Sequence, residues 1–242
     1  MLPFRDYNPT RSFPVVTISL IVVNTLVFLY MLSLQSQGDD VLQHFVAHSA
    51  VVPHQFLLFF HGEPTAKNVI HPVYLTIFTA MFLHGGFTHL AGNMLYLWIF
   101  GNNVEDIMGS IRYLIFYLVC GVLATVAYLF SVFFTGDSTV PALGASGAIA
   151  GVLGAYLVRF PRAQVDTCLF IIIFWTVIRL PAFIVLAGWF ILQFFQGVLS
   201  LQTGAQNQGG VAFWAHIGGF IAGMVLVFFF QKRDNNPHQA WS

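Results

Sequence analysis

The segment GASGAIAG, residues 144–151, places a single hydroxyl group, that of Ser146, among glycines and alanines. No Asp, Glu, Lys or Arg occurs in residues 138–158, so the surrounding sequence supplies no charged partner for this hydroxyl. Small residues allow two membrane helices to pack closely, and Ser146 is then one more packing residue. Alternatively, they leave space around a nucleophilic serine.

The composition is that of a membrane protein. Of the 242 residues only 7% are charged and 57% are hydrophobic, with a mean hydropathy of +0.78. Soluble domains carry about 25% charged residues, so a soluble fold is excluded. The net charge of zero gives no indication of a nucleic-acid partner. The two cysteines, Cys120 and Cys168, have neither metal-site spacing nor a disulfide framework.

Six apolar runs are candidates for membrane-spanning helices, which need about 20 residues each. They lie at about residues 14–34, 85–104, 112–134, 145–160, 180–200 and 211–231. The first is interpreted as a retained span, because it is too long for a signal-peptide core. We predict an all-α polytopic membrane protein with a six-span domain at 14–231, a cytoplasmic N-terminal tail at 1–13 and a cytoplasmic C-terminal tail at 232–242.

The basic residues predict the orientation. With six spans and a cytoplasmic N-terminus, eight of the nine Lys and Arg residues lie inside and only Lys67 lies outside. Two shorter apolar runs, 73–83 and 167–178, are too short for a crossing. A crossing at 167–178 would also move basic residues outside, so we expect a hairpin that enters the cytoplasmic leaflet. Residues 35–83 are expected to form a long external loop in the outer interface.

Polar residues within spans are costly and usually functional. They occur in spans two, four and six, which all run from outside to inside: His84, His89, Asn93, Ser146 and His216. A rise of 1.5 Å per residue places His89, Asn93, Ser146 and His216 roughly 18–24 Å from the charged residues that follow on the cytoplasmic side. All four therefore share a depth of about 10 Å below the outer face.

Glycines predict close approach of spans four and six. They lie at residues 144, 147, 151 and 154 in span four and at residues 218, 219 and 223 in span six. Such faces let helices pack backbone to backbone, so Ser146 and His216 are expected within hydrogen-bond reach.

This set of residues supports serine hydrolysis. A serine hydroxyl needs a base, and His216 is the available one. Spans four and six contain no Asp or Glu, which favours a Ser–His dyad over a triad. The Asn93 amide, the His89 imidazole and the Ser146 backbone N–H are candidate donors to an oxyanion. The substrate is then a helical peptide, which must unwind locally, or a lipid. The Gly- and Gln-rich residues 201–211 are a candidate movable cap.

Three motifs, HGGFTHLAGN at 84–93, GASG at 144–147 and AHIGGFIAG at 215–223, together resemble the rhomboid intramembrane serine proteases of the prokaryotic six-span type. The resemblance extends over about residues 14–231. It implies a six-helix core, Ser146 as nucleophile, His216 as general base, oxyanion-binding positions at His89 and Asn93, and a further polar position at His84. It also implies cleavage of single-span or polytopic transmembrane proteins near the outer surface of the bilayer, with no metal or cofactor.

The sequence departs from some members of that family at Ala150. These members carry an aromatic residue there, four positions after the nucleophile, which packs on the catalytic histidine. The orientation of His216 must therefore come from elsewhere. Trp189, Gln193 and Gln196 in span five are interpreted as packing residues, with a lateral-gate role as the alternative. The compact six-span core predicts a prokaryotic plasma membrane.

The sequence leaves other functions open. A non-catalytic membrane scaffold or transporter is one, although a transporter more often shows paired charges or broken helices near the midplane. A membrane-embedded lipid esterase with the same dyad is another. For His89 and Asn93, the alternative to oxyanion donation is interhelical hydrogen bonding. The external histidines 44, 48, 54, 61 and 71 lack the carboxylate of an H-E-x-x-H pattern and are interpreted as interfacial residues, not metal ligands.

Overall fold

The apolar runs of the sequence form helices in the computed structural model, which describes residues 2–62, 72–135, 141–171, 174–203 and 212–232. The long helices are α1 (Val15–Gln35), α5 (Phe87–Met108), α6 (Ser110–Thr135), α7 (Ser146–Arg159), α8 (Ala182–Thr203) and α9 (Phe213–Phe230). The shorter ones are α2 (Asp39–Ser49), α3 (Pro53–Phe60) and α4 (Thr76–Thr79), with 3₁₀ turns at Val73–Leu75 and Ala80–Phe82. The strands are β1 (Leu2–Asp6), β2 (Gln164–Ile171) and β3 (Phe174–Pro181).

Four of the described helices, α1, α6, α8 and α9, are long and apolar enough to cross a membrane. A fifth crossing results if Val73–Phe82 and Phe87–Met108 are taken as one span bent by 82°. The chain is thus an integral multi-pass membrane protein. Each predicted span coincides with a helix to within a few residues, but α7 has only 14 residues, fewer than a crossing usually needs. The count of six spans therefore stays a prediction.

Helix α7 lies at the centre of the bundle, where all of its residues from Gly147 to Tyr156 are buried. It packs mainly on α9, because both helices present glycines at their contact. A Cβ at Gly154 would overlap the carbonyl oxygen of Phe220, and a Cβ at Gly223 would overlap that of Gly151. Backbone contact of this kind needs residues without side chains, as the glycine pattern predicts.

A buried carboxylate joins the ends of three helices. Glu105, near the end of α5, is 1% exposed and accepts hydrogen bonds from the backbone N–H groups of Val16 and Thr17, at 2.9 and 2.8 Å. It also accepts from the hydroxyls of Thr17 and Ser110, at 2.8 and 2.7 Å. Because the N-terminus of α1 presents unpaired N–H groups and a partial positive charge, an anion is well placed there.

The prediction of an all-α protein is wrong at one end of the bundle. Strands β1, β2 and β3 form an antiparallel sheet in that order, in which Leu2 pairs with Cys168 and Thr167 pairs with Ile178. Residues 167–171 and 174–178 pair as antiparallel strands, so the expected hairpin is a β-hairpin, and the predicted N-terminal tail adds a third strand to it. The sheet satisfies the backbone groups of an apolar run that is too short to be a span. Its depth in the membrane stays a prediction.

The sheet carries a polar cluster of three side chains. The Tyr7 hydroxyl donates to Asp166 Oδ2 at 2.6 Å, and Arg179 Nε donates to Asp166 Oδ1 at 3.0 Å. Arg179 also donates to the Tyr7 oxygen at 2.7 Å. The Tyr7 hydroxyl and the Arg179 guanidinium hold the pKa of Asp166 below its usual value. The cluster fastens the N-terminal strand to the hairpin.

The segment 35–83, predicted as a long external loop, is mostly helical where it is described. Helices α2 and α3 follow α1, and Val51, which lies between them, pairs with Ala142, just before the segment that leads to Ser146. Residues 63–71 lie outside the described residues, as do most of the predicted cap at 201–211 and the C-terminal tail after Lys232.

Candidate active site

Ser146 and His216 are in direct contact. Ser146 is the first residue of α7, and His216 lies in the first turn of α9. The Ser146 Oγ and His216 Nε2 atoms are 2.7 Å apart, which is a hydrogen-bond distance. The predicted proximity of the two residues is therefore confirmed, while their catalytic roles remain predictions.

The glycines set this distance. A Cβ at Gly219, one turn after His216, would overlap the carbonyl oxygen of Gly147, the neighbour of Ser146. A Cβ at Gly218 would overlap the side chain of Ala127 on α6. Because both faces of this turn lie against neighbouring helices, the backbone of α9 is fixed where it presents His216 to α7.

The sequence did not predict the other partner of His216. Its Nδ1 donates to Oε1 of Gln193 on α8 at 2.6 Å, and Gln193 is 8% exposed. The indole of Trp189, one turn earlier on α8, faces the His216 ring with centroids 5.7 Å apart and ring planes 38° apart. The available signal was the i, i+4 spacing of Trp189 and Gln193 within an apolar span. The same pair had an equally simple interpretation as packing residues.

His89 lies beside the serine. The Gly85 backbone N–H donates to His89 Nδ1 at 3.4 Å, so the other ring nitrogen, Nε2, carries the proton in the neutral ring. That nitrogen faces Gly144, where a Cβ would lie 2.9 Å from it. Gly144 has φ of +125°, a conformation that favours glycine, so both the backbone and the space at this position exclude a side chain.

Asn93 lies one turn after His89 on α5 and is 9% exposed. Its Nδ2 has no hydrogen-bond partner among the residues that the structure describes, and it is therefore available to a ligand. The Ser146 backbone N–H is the first of α7, and an N–H at this position has no acceptor within its own helix. These two groups and His89 Nε2 are three candidate donors, on residues that line the same cavity.

His84 occupies a different place from the other predicted residues. It is 1% exposed, and neither ring nitrogen has a hydrogen-bond partner within the described ranges. Its ring lies edge-on to His89 with centroids 5.1 Å apart. The structure thus places the His84 ring against that of His89, and His84 is not among the described residues that line the cavity containing Ser146.

A cavity of about 720 Å³ lies beside Ser146 and the other predicted site residues except His84. Its lining includes His89, Asn93, Ser146, His216 and Trp189. Among the described lining residues there is no Asp, Glu, Lys or Arg. A neutral cavity of this size accommodates several residues of an extended peptide, and Ser146, His216, His89 and Asn93 supply hydrogen-bonding groups to its wall.

Comparisons with known proteins identify the family of the chain. A family model described as the rhomboid domain matches residues 71–233. The mitochondrial presenilin-associated rhomboid-like protein of Bos taurus is 31% identical over 169 residues, which are 69% of this chain and 40% of that protein. Rhomboid protein 1, mitochondrial, of Saccharomyces cerevisiae is 28% identical over 170 residues, 68% of this chain and 44% of that protein.

A bacterial relative matches a shorter part of the chain. The rhomboid protease GluP of Bacillus subtilis is 44% identical over 82 residues, which are 34% of this chain and 15% of that protein. The chain thus spans less than half the length of each of these relatives, and the activities of the whole proteins do not transfer with the match.

Proposed function

The chain belongs to the rhomboid family, which includes intramembrane serine proteases, and from this membership we propose that it is a serine endopeptidase acting within the membrane. Its substrates are transmembrane proteins, cut within the bilayer near its outer side. The contact of 2.7 Å between Ser146 Oγ and His216 Nε2 is the observation that carries the proposal. A hydroxyl that donates to an imidazole is poised to lose its proton to that base.

In the first step Ser146 Oγ attacks the scissile carbonyl carbon while His216 Nε2 takes the hydroxyl proton. The carbonyl oxygen gains the negative charge, and three N–H donors face it: the Ser146 backbone, His89 Nε2 and Asn93 Nδ2. When the tetrahedral intermediate collapses, the C–N bond breaks and the His216 imidazolium gives its proton to the leaving amine. Water then attacks the acyl-enzyme with His216 again as base, which releases the acid and regenerates Ser146.

The cavity supports a peptide as substrate. A transmembrane helix hides its carbonyl groups in hydrogen bonds, and it must unwind before any carbonyl reaches Ser146. The donors around Ser146 replace part of that lost hydrogen bonding for the unwound segment. Substrates with helix-breaking residues at the cut are therefore expected to react faster.

The proposal includes six spans with both termini in the cytoplasm. The basic residues that the structure describes lie at the sheet end of the bundle, where β1 pairs with β2 and the Lys232 backbone N–H donates to Ile107 O at 2.8 Å. They are Arg5, Arg11, Arg112, Arg159, Arg162, Arg179 and Lys232. The positive-inside rule assigns this end to the cytoplasm, and the serine then lies toward the outer side.

The expected prokaryotic plasma membrane gains no support from the relatives. Two of those described above are named as mitochondrial and one comes from a bacterium. What is established is an integral membrane location, and the identity of the membrane stays a prediction.

The proposal is tested in liposomes that contain the purified protein and a single-span substrate with a Gly/Pro-weakened segment. The parent protein should release one cut product, and Ser146→Ala and His216→Ala should release none. Ser19→Ala on α1 and His48→Ala on α2 are matched controls, because neither residue is among the described residues that line the cavity. They should cleave at the parental rate.

Three other outcomes would contradict the proposal. Equal cleavage by parent and Ser146→Ala indicates a contaminant and overturns the dyad. Release of lysolipid by the parent but not by Ser146→Ala indicates a lipid esterase. Absence of both products, with no labelling of Ser146 by a fluorophosphonate probe, favours a scaffold that binds transmembrane helices.

A further inference from the structure

We propose that Gln193 is a positioning residue that holds His216 in the tautomer needed for catalysis, in the place that a carboxylate occupies in a Ser–His–Asp triad. The inference rests on the proposed function and adds a third member to the dyad. It starts from one contact, the bond of 2.6 Å between His216 Nδ1 and Gln193 Oε1.

The chemistry of the two groups fixes the direction of this bond. An amide oxygen only accepts hydrogen bonds, so the proton lies on His216 Nδ1. In a neutral imidazole the other nitrogen, Nε2, is then an acceptor with a free lone pair. This is the nitrogen that faces Ser146 Oγ, and only an unprotonated Nε2 accepts the serine proton. The opposite tautomer would turn two lone pairs toward each other at Nδ1 and would leave Nε2 unable to act as a base.

Gln193 takes the position of the acceptor for His216 Nδ1 beside a cavity whose described lining contains no carboxylates. The cavity lining includes titratable side chains on α5 and α6, namely His89, Tyr96 and Tyr128, besides His216 itself. None of the described lining residues is a carboxylate. Since a buried amide needs a partner and a buried carboxylate is costly within a span, a glutamine fixes the tautomer without introducing a charge.

Helix α8 also supplies the aromatic contact to His216 that Ala150 cannot provide. Trp189 faces the His216 ring from the preceding turn of the same helix, with centroids 5.7 Å apart. The indole covers the ring and limits its tilt, while the amide fixes its rotation about the Cβ–Cγ bond. The two residues are four apart and so lie on one face of α8. The orientation of His216 therefore comes from α8 and not from a residue on the nucleophile helix.

Kinetics of matched variants in liposomes test this role. Gln193→Leu keeps the approximate size and removes the acceptor, and it should lower kcat about 10- to 100-fold with KM nearly unchanged. Gln193→Glu keeps an acceptor and should restore most of kcat. Because a carboxylate there stabilises the imidazolium, it should also move the acid limb of the kcat profile to higher pH. Gln196→Leu, on the same helix, is the control and should retain the parental kcat.

A spectroscopic readout separates this inference from the protease proposal. In protein labelled with ¹⁵N-histidine, the His216 signals are those lost in His216→Ala. They should report a proton on Nδ1 in the parent and a mixture of tautomers in Gln193→Leu. This result together with an inactive parent would leave the positioning role intact and overturn the protease.

Two results would overturn the positioning role. One is parental kcat and an unchanged tautomer in Gln193→Leu. The other is equal loss of kcat in Gln193→Leu and Gln193→Glu while both retain the parental melting temperature, since Gln193 would then act only through its packing. If Gln193→Leu fails to fold, the tautomer in the parent and the pH profile of Gln193→Glu still decide the question.

Discussion

Gly219 on α9 lies so close to Gly147 on α7 that a Cβ on Gly219 would overlap the Gly147 carbonyl oxygen. This contact is one turn from His216 on one helix and one residue from Ser146 on the other. The close packing of the two backbones therefore also brings the side chains of Ser146 and His216 together. The two interpretations of the glycine-rich segment, close packing and space for a nucleophile, are compatible.

The first prediction concerns this contact. Gly219→Ala forces α9 away from α7, because the obstacle is backbone and not a flexible side chain. We expect a loss of about 1–3 kcal/mol in the free energy of unfolding, typical of overpacking, and a larger relative loss of cleavage. Thermal unfolding in detergent and cleavage in liposomes measure the two effects. Gly188→Ala on α8 is the control, since nothing lies within 4 Å of its Cβ position. Unchanged cleavage in Gly219→Ala would show that the approach of Ser146 to His216 does not depend on this backbone contact.

The second prediction concerns Glu105, whose carboxylate accepts hydrogen bonds from α1 and α6. Glu105→Ala leaves two N–H groups, one buried and one half-buried, and two hydroxyls without their acceptor, and it should cost at least about 2 kcal/mol in the free energy of unfolding. Denaturant titration in detergent measures the loss. The neighbouring Asp106→Asn is the control: its bonds to Ser12 are exposed, so a smaller loss is expected. Equal losses in the two variants would show that burial of the Glu105 carboxylate adds nothing to stability.

The sequence predicted the helices and the meeting of Ser146 with His216, because hydrophobic runs and helix rise are local properties. It did not predict the sheet, since Leu2 and Cys168 are paired across most of the chain and no local pattern records that pairing. Gln193 was placed among packing residues for a related reason. A lone amide in an apolar helix has a function only through its partner, and the partner lies on another helix.

The third prediction concerns the oxyanion donors. Asn93→Asp keeps the size and shape of the side chain, but it removes the Nδ2 donor and presents oxygen atoms to a developing negative charge. We expect kcat to fall about 10²- to 10³-fold or more, with a small effect on KM. The fall in kcat should be smaller for Asn93→Ala, because this substitution removes the donor without adding repulsion. Steady-state kinetics in liposomes measure both variants, and parental kcat in Asn93→Asp would assign Asn93 to interhelical bonding alone.

The last prediction concerns the pH dependence of the sheet. The hydrogen bond from the Tyr7 hydroxyl, and to a smaller extent the Arg179 guanidinium, lowers the pKa of Asp166 below its ordinary value of 3.8. A carboxylate whose folded-state pKa is lowered stabilises the fold fully above its unfolded value, and this contribution is lost as pH falls through the folded value. Attachment of β1 to β2 should therefore weaken below about pH 4, and Asp166→Asn should weaken it at neutral pH and abolish the acid dependence. Hydrogen-exchange protection of the β1 and β2 amides, compared between pH 3 and pH 6, measures this. Asp40→Asn on α2 should keep the parental profile, and an acid loss that persists in Asp166→Asn would assign it to another group.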